Sequence, residues 1–83
     1  MVIFTKHAED KFEILARHKF FISREQVLET LAFPDGIDLS RSPLLIAQKG
    51  IDDKHALRVV YKKENNFIKV ITFYPARIKQ YKI

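Results

Sequence analysis

The sequence predicts an α+β fold: two N-terminal helices packed on a three- to four-stranded, mainly antiparallel sheet. Three observations predict it. Apolar residues repeat at helical spacing only before Phe33. Beyond Gly36 they fall in short runs parted by Pro, Gly, Asn and Asp, the punctuation of strands and turns. Two helices ahead of a run of antiparallel strands bury their apolar sides as two layers, leaving the second sheet face to solvent. The 83 residues make a single domain, 1–83. An apolar fraction of 47%, with seven Phe and two Gly, is that of a globular chain and not of a disordered tail.

Val2, Ile3 and Phe4 are a short apolar run and read as a first strand. Thr5 is placed to cap a helix running to about Lys19, with Glu9 and Asp10 near its positive N-terminal end. Ala8, Phe12, Leu15 and Ala16 share one face of that helix. Phe20-Phe21-Ile22 is a connector. Ser23 opens a second helix, Gln26 completes a capping box, and Ile22 and Val27 take the positions of a hydrophobic staple. Val27, Leu28 and Leu31 form its expected buried stripe. Pro34 disfavours helix at Phe33 and Gly36 permits a turn, so the helix stops there. Three strands follow, from Leu44 to Lys49, from Ala56 to Lys62 and from Phe67 to Tyr74. Asp52-Asp53-Lys54 and Glu64-Asn65-Asn66 are the turns between them. Both faces of the last two strands are partly apolar, so alternation does not say which one meets the helices.

Charge divides the chain. Residues 54–83 carry eight Lys or Arg and one acid, whereas residues 1–53 carry seven bases and nine acids. The net +5 therefore splits into −2 and +7, and the basic part is the strand-forming part. A sheet that concentrates positive charge and Tyr suits a polyanion, RNA or DNA. The chain has no cysteine, which excludes disulfides, thiolate nucleophiles and Cys-ligated zinc. No apolar run approaches the ~20 residues of a membrane helix. The N-terminus turns polar too early for a signal peptide, and the expected address is the cytoplasm.

No metal or cofactor is expected. His7 and His18 are about 16 Å apart along a helix, too far for one ion. The acids fall on polar helix faces or in turns and form no catalytic pair. Two glycines make no phosphate loop, and no Ser sits in a nucleophile elbow. His7 reads as a first-turn residue of the helix and His55 as a strand-edge residue; His7 is kept as an acid/base candidate because imidazole titrates near neutrality. Arg58, Lys62, Lys69, Tyr74, Arg77, Lys79 and Tyr81 remain, with Gln48 and Lys49 on the first strand of the basic sheet. Arg and Lys bind phosphates and stabilise the charge that develops when a phosphodiester is attacked. Tyr stacks on bases or assists proton transfer. Such a group cleaves RNA without a metal, because the 2′-hydroxyl supplies the nucleophile.

Several short motifs carry a resemblance. His7-Ala8 and Phe12, Ile22-Ser23 with Glu25, Val27, Leu28 and Leu31, Phe33-Pro34-Asp35, Leu57-Arg58-Val59-Val60-Tyr61 and Val70-Ile71-Thr72-Phe73-Tyr74-Pro75 resemble the uncharacterised family DUF4258. That family looks related to the RelE/ParE toxin superfamily, which includes the BrnT-like toxins. The shared order is two helices, then three or four antiparallel strands. Leu57-Arg58-Val59-Val60-Tyr61 is similar to the L-R-x-x-Y-like strand of RelE-type toxins, and Arg77-Ile78-Lys79-Gln80-Tyr81 to their Arg-x-x-x-Tyr end. The resemblance implies that Arg58 and Arg77 hold the scissile phosphate and that Tyr81 is base or stacking platform. Lys49, Lys62 and Lys69 are the candidates for the lysine cluster of such enzymes. In RelE-like toxins that cut mRNA the ribosome is a partner, and a small antitoxin masks the basic sheet. ParE-like relatives bind gyrase and cut nothing.

The expected function is therefore the toxin of a toxin–antitoxin pair, a metal-independent endoribonuclease acting on mRNA. Arg58, Arg77, Tyr81 and His7 would be catalytic, and Lys49, Lys62, Lys69, Tyr74 and Lys79 would bind nucleic acid. The alternative is a non-catalytic protein- or nucleic-acid-binding module using the same basic face. Exposed edges and a small core leave room for self-association.

Overall fold

The computed structural model describes residues 1–79. Its elements run β1 (Val2–Phe4), α1 (Lys6–Arg17), α2 (Arg24–Ala32), β2 (Gly36–Asp38), β3 (Leu45–Gly50), β4 (His55–Lys63) and β5 (Ile68–Arg77). The strands form one sheet in the order β1-β5-β4-β3-β2. β1 lies parallel to β5, and every other neighbouring pair is antiparallel. The fold is α+β, with five strands where three or four were expected. The additional strand is β2, three residues that follow the turn signals Pro34 and Asp35 and are too short to show alternation. No helix among the described residues is long and apolar enough to cross a membrane.

The caps form as the sequence predicts. Thr5 Oγ1 accepts the Ala8 N–H and donates to the Ile71 carbonyl, so one hydroxyl starts α1 and ties it to β5. Ser23 and Gln26 complete the capping box of α2. Both staple residues, Ile22 and Val27, lie in the apolar core.

α1 ends sooner than expected, at Arg17. The Lys19 N–H reaches the Ala16 carbonyl and the Phe20 N–H reaches the Leu15 carbonyl. This is a Schellman closure, whose turning residue is left-handed. Lys19 takes that place with φ 66°, a conformation that suits glycine and strains a residue carrying Cβ.

The core between the layers holds Ala8, Leu15, Ile22, Val27, Leu57, Val59, Val70 and Phe73. Phe12 packs on Phe73 at 4.7 Å between ring centroids. α2 buries Val27 and Thr30 and packs Leu31 against the core, while Leu28 is 37% exposed, which corrects the expected stripe at that one position. Thr30 tolerates burial because its hydroxyl donates to the Gln26 carbonyl one turn back.

The face facing the helices carries Leu57, Val59 and Tyr61 on β4, paired with Pro75, Phe73 and Val70 on β5. A register shift between Val60 and Tyr61 leaves Ile71 as an extra residue in β5. Alternation therefore changes phase between Val70 and Phe73, which is why both faces of that strand read as apolar. β5 also continues through Pro75 to Arg77. β1 flanks only Ile68 to Val70, so at Pro75 the strand has a neighbour on one side only, the setting that tolerates proline.

The left-handed turn gives a direct test. Lys19→Gly is expected to raise unfolding stability by about 0.5–1 kcal/mol. Equilibrium denaturation of the two proteins measures it, and a decrease would show that Lys19 contributes more than backbone shape.

Candidate functional site

The structure gathers most of the sequence-predicted residues in three places and leaves Lys49 and His7 apart from them. The first is the sheet face turned away from the helices. There Gln48, Arg58 and Tyr74 stand in register across β3, β4 and β5. Arg58 is 3% exposed. Its Nη1 donates to Gln48 Oε1 at 2.9 Å, its Nη2 to Asp38 Oδ2 at 2.8 Å and its Nε to the Tyr74 hydroxyl at 3.2 Å. Ser40, through side chain and backbone N–H, and then Arg58 hold the Asp38 carboxyl well below the usual carboxylate range. The guanidinium expected to grip a phosphate is thus buried and ion-paired inside the protein. It faces the opposite way from Arg77, so the two arginines do not converge on one phosphate.

The second place is the far end of β4 and β5. Lys62 and Lys69 are directly opposite one another across the two strands, and Glu64 lies 4.0 Å from the Lys62 Nζ. Lys49 stands apart from both. Its Nζ donates to the Phe33 carbonyl at 3.0 Å, closing the C-terminal end of α2, where a cation is favoured. His7 is an exposed residue of the first turn of α1.

The third place brings new residues together. An open cleft of about 370 Å³ is lined by Asp53, Lys54, His55, Arg77, Ile78 and Lys79. It forms because the turn before β4 meets the end of β5, with His55 in register with Arg77 and the Ile78 N–H bonded to the Lys54 carbonyl. Asp52 organises the turn. One of its carboxylate oxygens accepts the N–H groups of Lys54 and His55 at 2.8 Å each. The same carboxylate lies 3.0 and 3.1 Å from His55 Nδ1. The Lys54 N–H, first, and the His55 ring and N–H hold the Asp52 carboxyl below its ordinary value, against the opposing effect of burial. With Nδ1–H donating to Asp52, Nε2 is the nitrogen left to take a proton. The Phe20 ring meets the imidazole edge-on at 5.4 Å and fixes its other flank.

Among the described residues, Lys54, Arg77 and Lys79 make no ion pair. The cleft therefore combines an oriented imidazole with three cations that have no ion-pair partner among the described residues, and with one carboxylate, Asp53. Arg77 and Lys79 were legible in the sequence as basic residues of its last segment. His55, Asp52 and Lys54 were not, because the segment reads as a turn and a strand edge. The signal was the Asp-x-x-His spacing, which lets a turn-capping carboxylate reach the ring three residues on. Tyr81 lies outside the described residues. Among the described residues no three His, Asp or Glu side chains gather into a group that could hold a metal ion.

Comparison of the chain with protein-family models, with curated proteins and with solved structures returned no match.

Two outcomes test the assignment of Arg58 to the framework. Arg58→Ala is expected to cost about 3 kcal/mol of stability, through lost packing and orphaned partners. Arg58→Met is expected to lose less, because the stem is replaced. Chemical denaturation of both variants checks this, and a change within error for Arg58→Ala would contradict the framework role. Asp38 adds a pH dependence. Its folded pKa lies below the unfolded value of about 3.9, so its contribution is whole above about pH 4 and is lost as pH falls further. The melting temperature is expected to drop as pH falls from about 5 to about 2, and less steeply in Asp38→Asn.

Proposed function

We propose that this protein is a metal-independent endoribonuclease whose reacting phosphate binds in the His55–Arg77 cleft. One observation carries the reading: an Asp-oriented imidazole shares a cleft wall with Lys54, Arg77 and Lys79. His55 Nε2 takes the proton from a ribose 2′-hydroxyl, and the 2′-oxygen attacks the adjacent phosphorus. The P–O5′ bond breaks, leaving a 2′,3′-cyclic phosphate, and the departing 5′-oxygen gains its proton from water or a lysine ammonium. Arg77, with its planar fork, holds the phosphate and the charge that develops on it, and Lys54 and Lys79 add attraction. Asp52 is a positioning residue that keeps the imidazole in one tautomer.

The resemblance to RelE/ParE toxins supports the biological setting. In that setting the protein is the toxin of a pair, mRNA or ribosome-bound mRNA is the target, and a small acidic antitoxin covers the basic groups. A second reading has its own support. Because Arg58 is withdrawn into an ion pair with Asp38, one of the two arginines expected to do chemistry is committed elsewhere. That favours a non-catalytic module that binds RNA, DNA or an acidic protein through the remaining cations. A steep salt dependence of affinity without cleavage would select it.

RNA cleavage in EDTA, with and without ribosomes, separates the two readings. His55→Ala is expected to lower the cleavage rate by about 10²–10⁴-fold. Arg77→Ala is expected to lower it by a similar factor, while Arg58→Met cleaves as wild type per folded molecule. Equal rates for wild type and His55→Ala would remove the cleft from the chemistry. Growth arrest on expression, relieved by His55→Ala, would support the toxin setting.

A further inference from the structure

The wall of the cleft is not uniformly cationic. Asp53 and Ile78 line it beside Lys54, His55, Arg77 and Lys79, and neither serves a phosphate. The Asp53 charge opposes one. The two residues are placed by the same meeting of segments. The Ile78 N–H bonds to the Lys54 carbonyl at 2.9 Å, and Asp53 is the exposed residue that precedes Lys54 in the turn. Of the two successive carboxylates in this turn, Asp52 is consumed by the backbone N–H groups of Lys54 and His55 and by the imidazole. Asp53 has no such duty. It shares the cleft with three cations, yet among the described residues it forms an ion pair with none of them. A cleft of about 370 Å³ also has room for more than a phosphate group, being within the range of small-molecule sites.

We infer, on top of the reading of this cleft as the site of phosphodiester cleavage, that Asp53 and Ile78 bound a base subsite selective for guanine, so the substrate is RNA with an unpaired guanine next to the reacting phosphate. An ionised carboxylate accepts hydrogen bonds and donates none. On its Watson–Crick edge guanine alone offers two adjacent donors, N1–H and the N2 amino group, which match the two carboxylate oxygens. Adenine and cytosine set an acceptor nitrogen beside their amino group, and uracil sets a carbonyl on each side of its N3–H. Each of these turns a lone pair toward the anion. The apolar Ile78 suits the face of a base, and the cations suit the phosphate attached to it. A guanine in a duplex has this edge occupied, so the subsite reads single strands.

Oligoribonucleotides that carry G, A, C or U at one position of an otherwise constant strand test the subsite, in EDTA and with and without ribosomes. Cleavage next to G is expected to exceed cleavage next to each other base by about 5- to 150-fold in kcat/KM, the range for one bidentate base contact. Inosine, which lacks the N2 amino group, is expected to forfeit most of that preference. Asp53→Asn is expected to abolish it, with the melting temperature of wild type, because the side chain is exposed and forms no ion pair among the described residues. A change of cleft charge alone would alter cleavage next to all four bases alike. If the wild type cuts next to all four equally or prefers another base, or if Asp53→Asn keeps the preference for G, the guanine subsite is overturned and the chemistry of the cleft stands. If the wild type cuts no RNA, the cleavage site fails and the subsite with it.

Discussion

A guanidinium taken out of water in the middle of the sheet constrains everything around it. Arg58 leaves β4 and engages Gln48 from β3, Asp38 from β2 and Tyr74 from β5. A buried cation without such partners costs several kcal/mol, so the four strands must hold their present register for the protein to be stable. This explains β2. Three residues pair too briefly to define a strand alone, but Asp38 answers the charge of Arg58, and Ser40 fixes the carboxylate in turn. The polar face of the sheet is in this sense a second core, built from hydrogen bonds where the helix side is built from Leu57, Val59, Val70 and Phe73.

The concentration of positive charge in the last thirty residues does not create one basic surface. Arg58 is used internally, Lys62, Lys63 and Lys69 crowd one end of the hairpin, and Lys49, just before this segment, closes α2. At the opposite end, Lys54, Arg77 and Lys79, which make no ion pair among the described residues, line a cleft with His55 and Asp53. The turn there is ordered by one carboxylate with two duties. Asp52 satisfies the backbone N–H groups of Lys54 and His55 and orients the ring of His55. A residue that completes a turn thus also sets the orientation of a neighbouring ring.

The parts of the fold set by local chemistry were legible. Thr5 and Ser23 announce their helices through hydroxyls with few other uses, and Gln26, Ile22 and Val27 confirm the second start. What escaped was set at long range. The extra residue at Ile71 shifts the alternation of β5 in mid-strand, and no window of a few residues reveals that. Pro75 reads as a strand end until β1 is known to stop beside Val70. Arg58 reads as an exposed phosphate ligand because its counter-charge, Asp38, is twenty residues earlier in a segment that looks like a turn. Arg77 and Lys79 could be picked out from basic composition, whereas His55 required knowing that the Asp52 carboxylate bends back to it.

The parallel pairing of β1 with β5 joins partners nearly a whole chain apart: Val2 lies beside Ile68, and the Thr5 hydroxyl reaches the Ile71 carbonyl across 66 residues. α1 therefore cannot receive its final anchor until β5 has been made. The hairpin of β4 and β5, joined by a short turn, assembles without waiting for distant sequence. Contacts of such unequal reach differ in the loop entropy their closure costs, which is smaller for the antiparallel ribbon than for the pairing of the first strand. Until that pairing is made, the flank of β5 along Ile68 to Val70 is an unguarded edge, and a nascent molecule is most exposed to mispairing there.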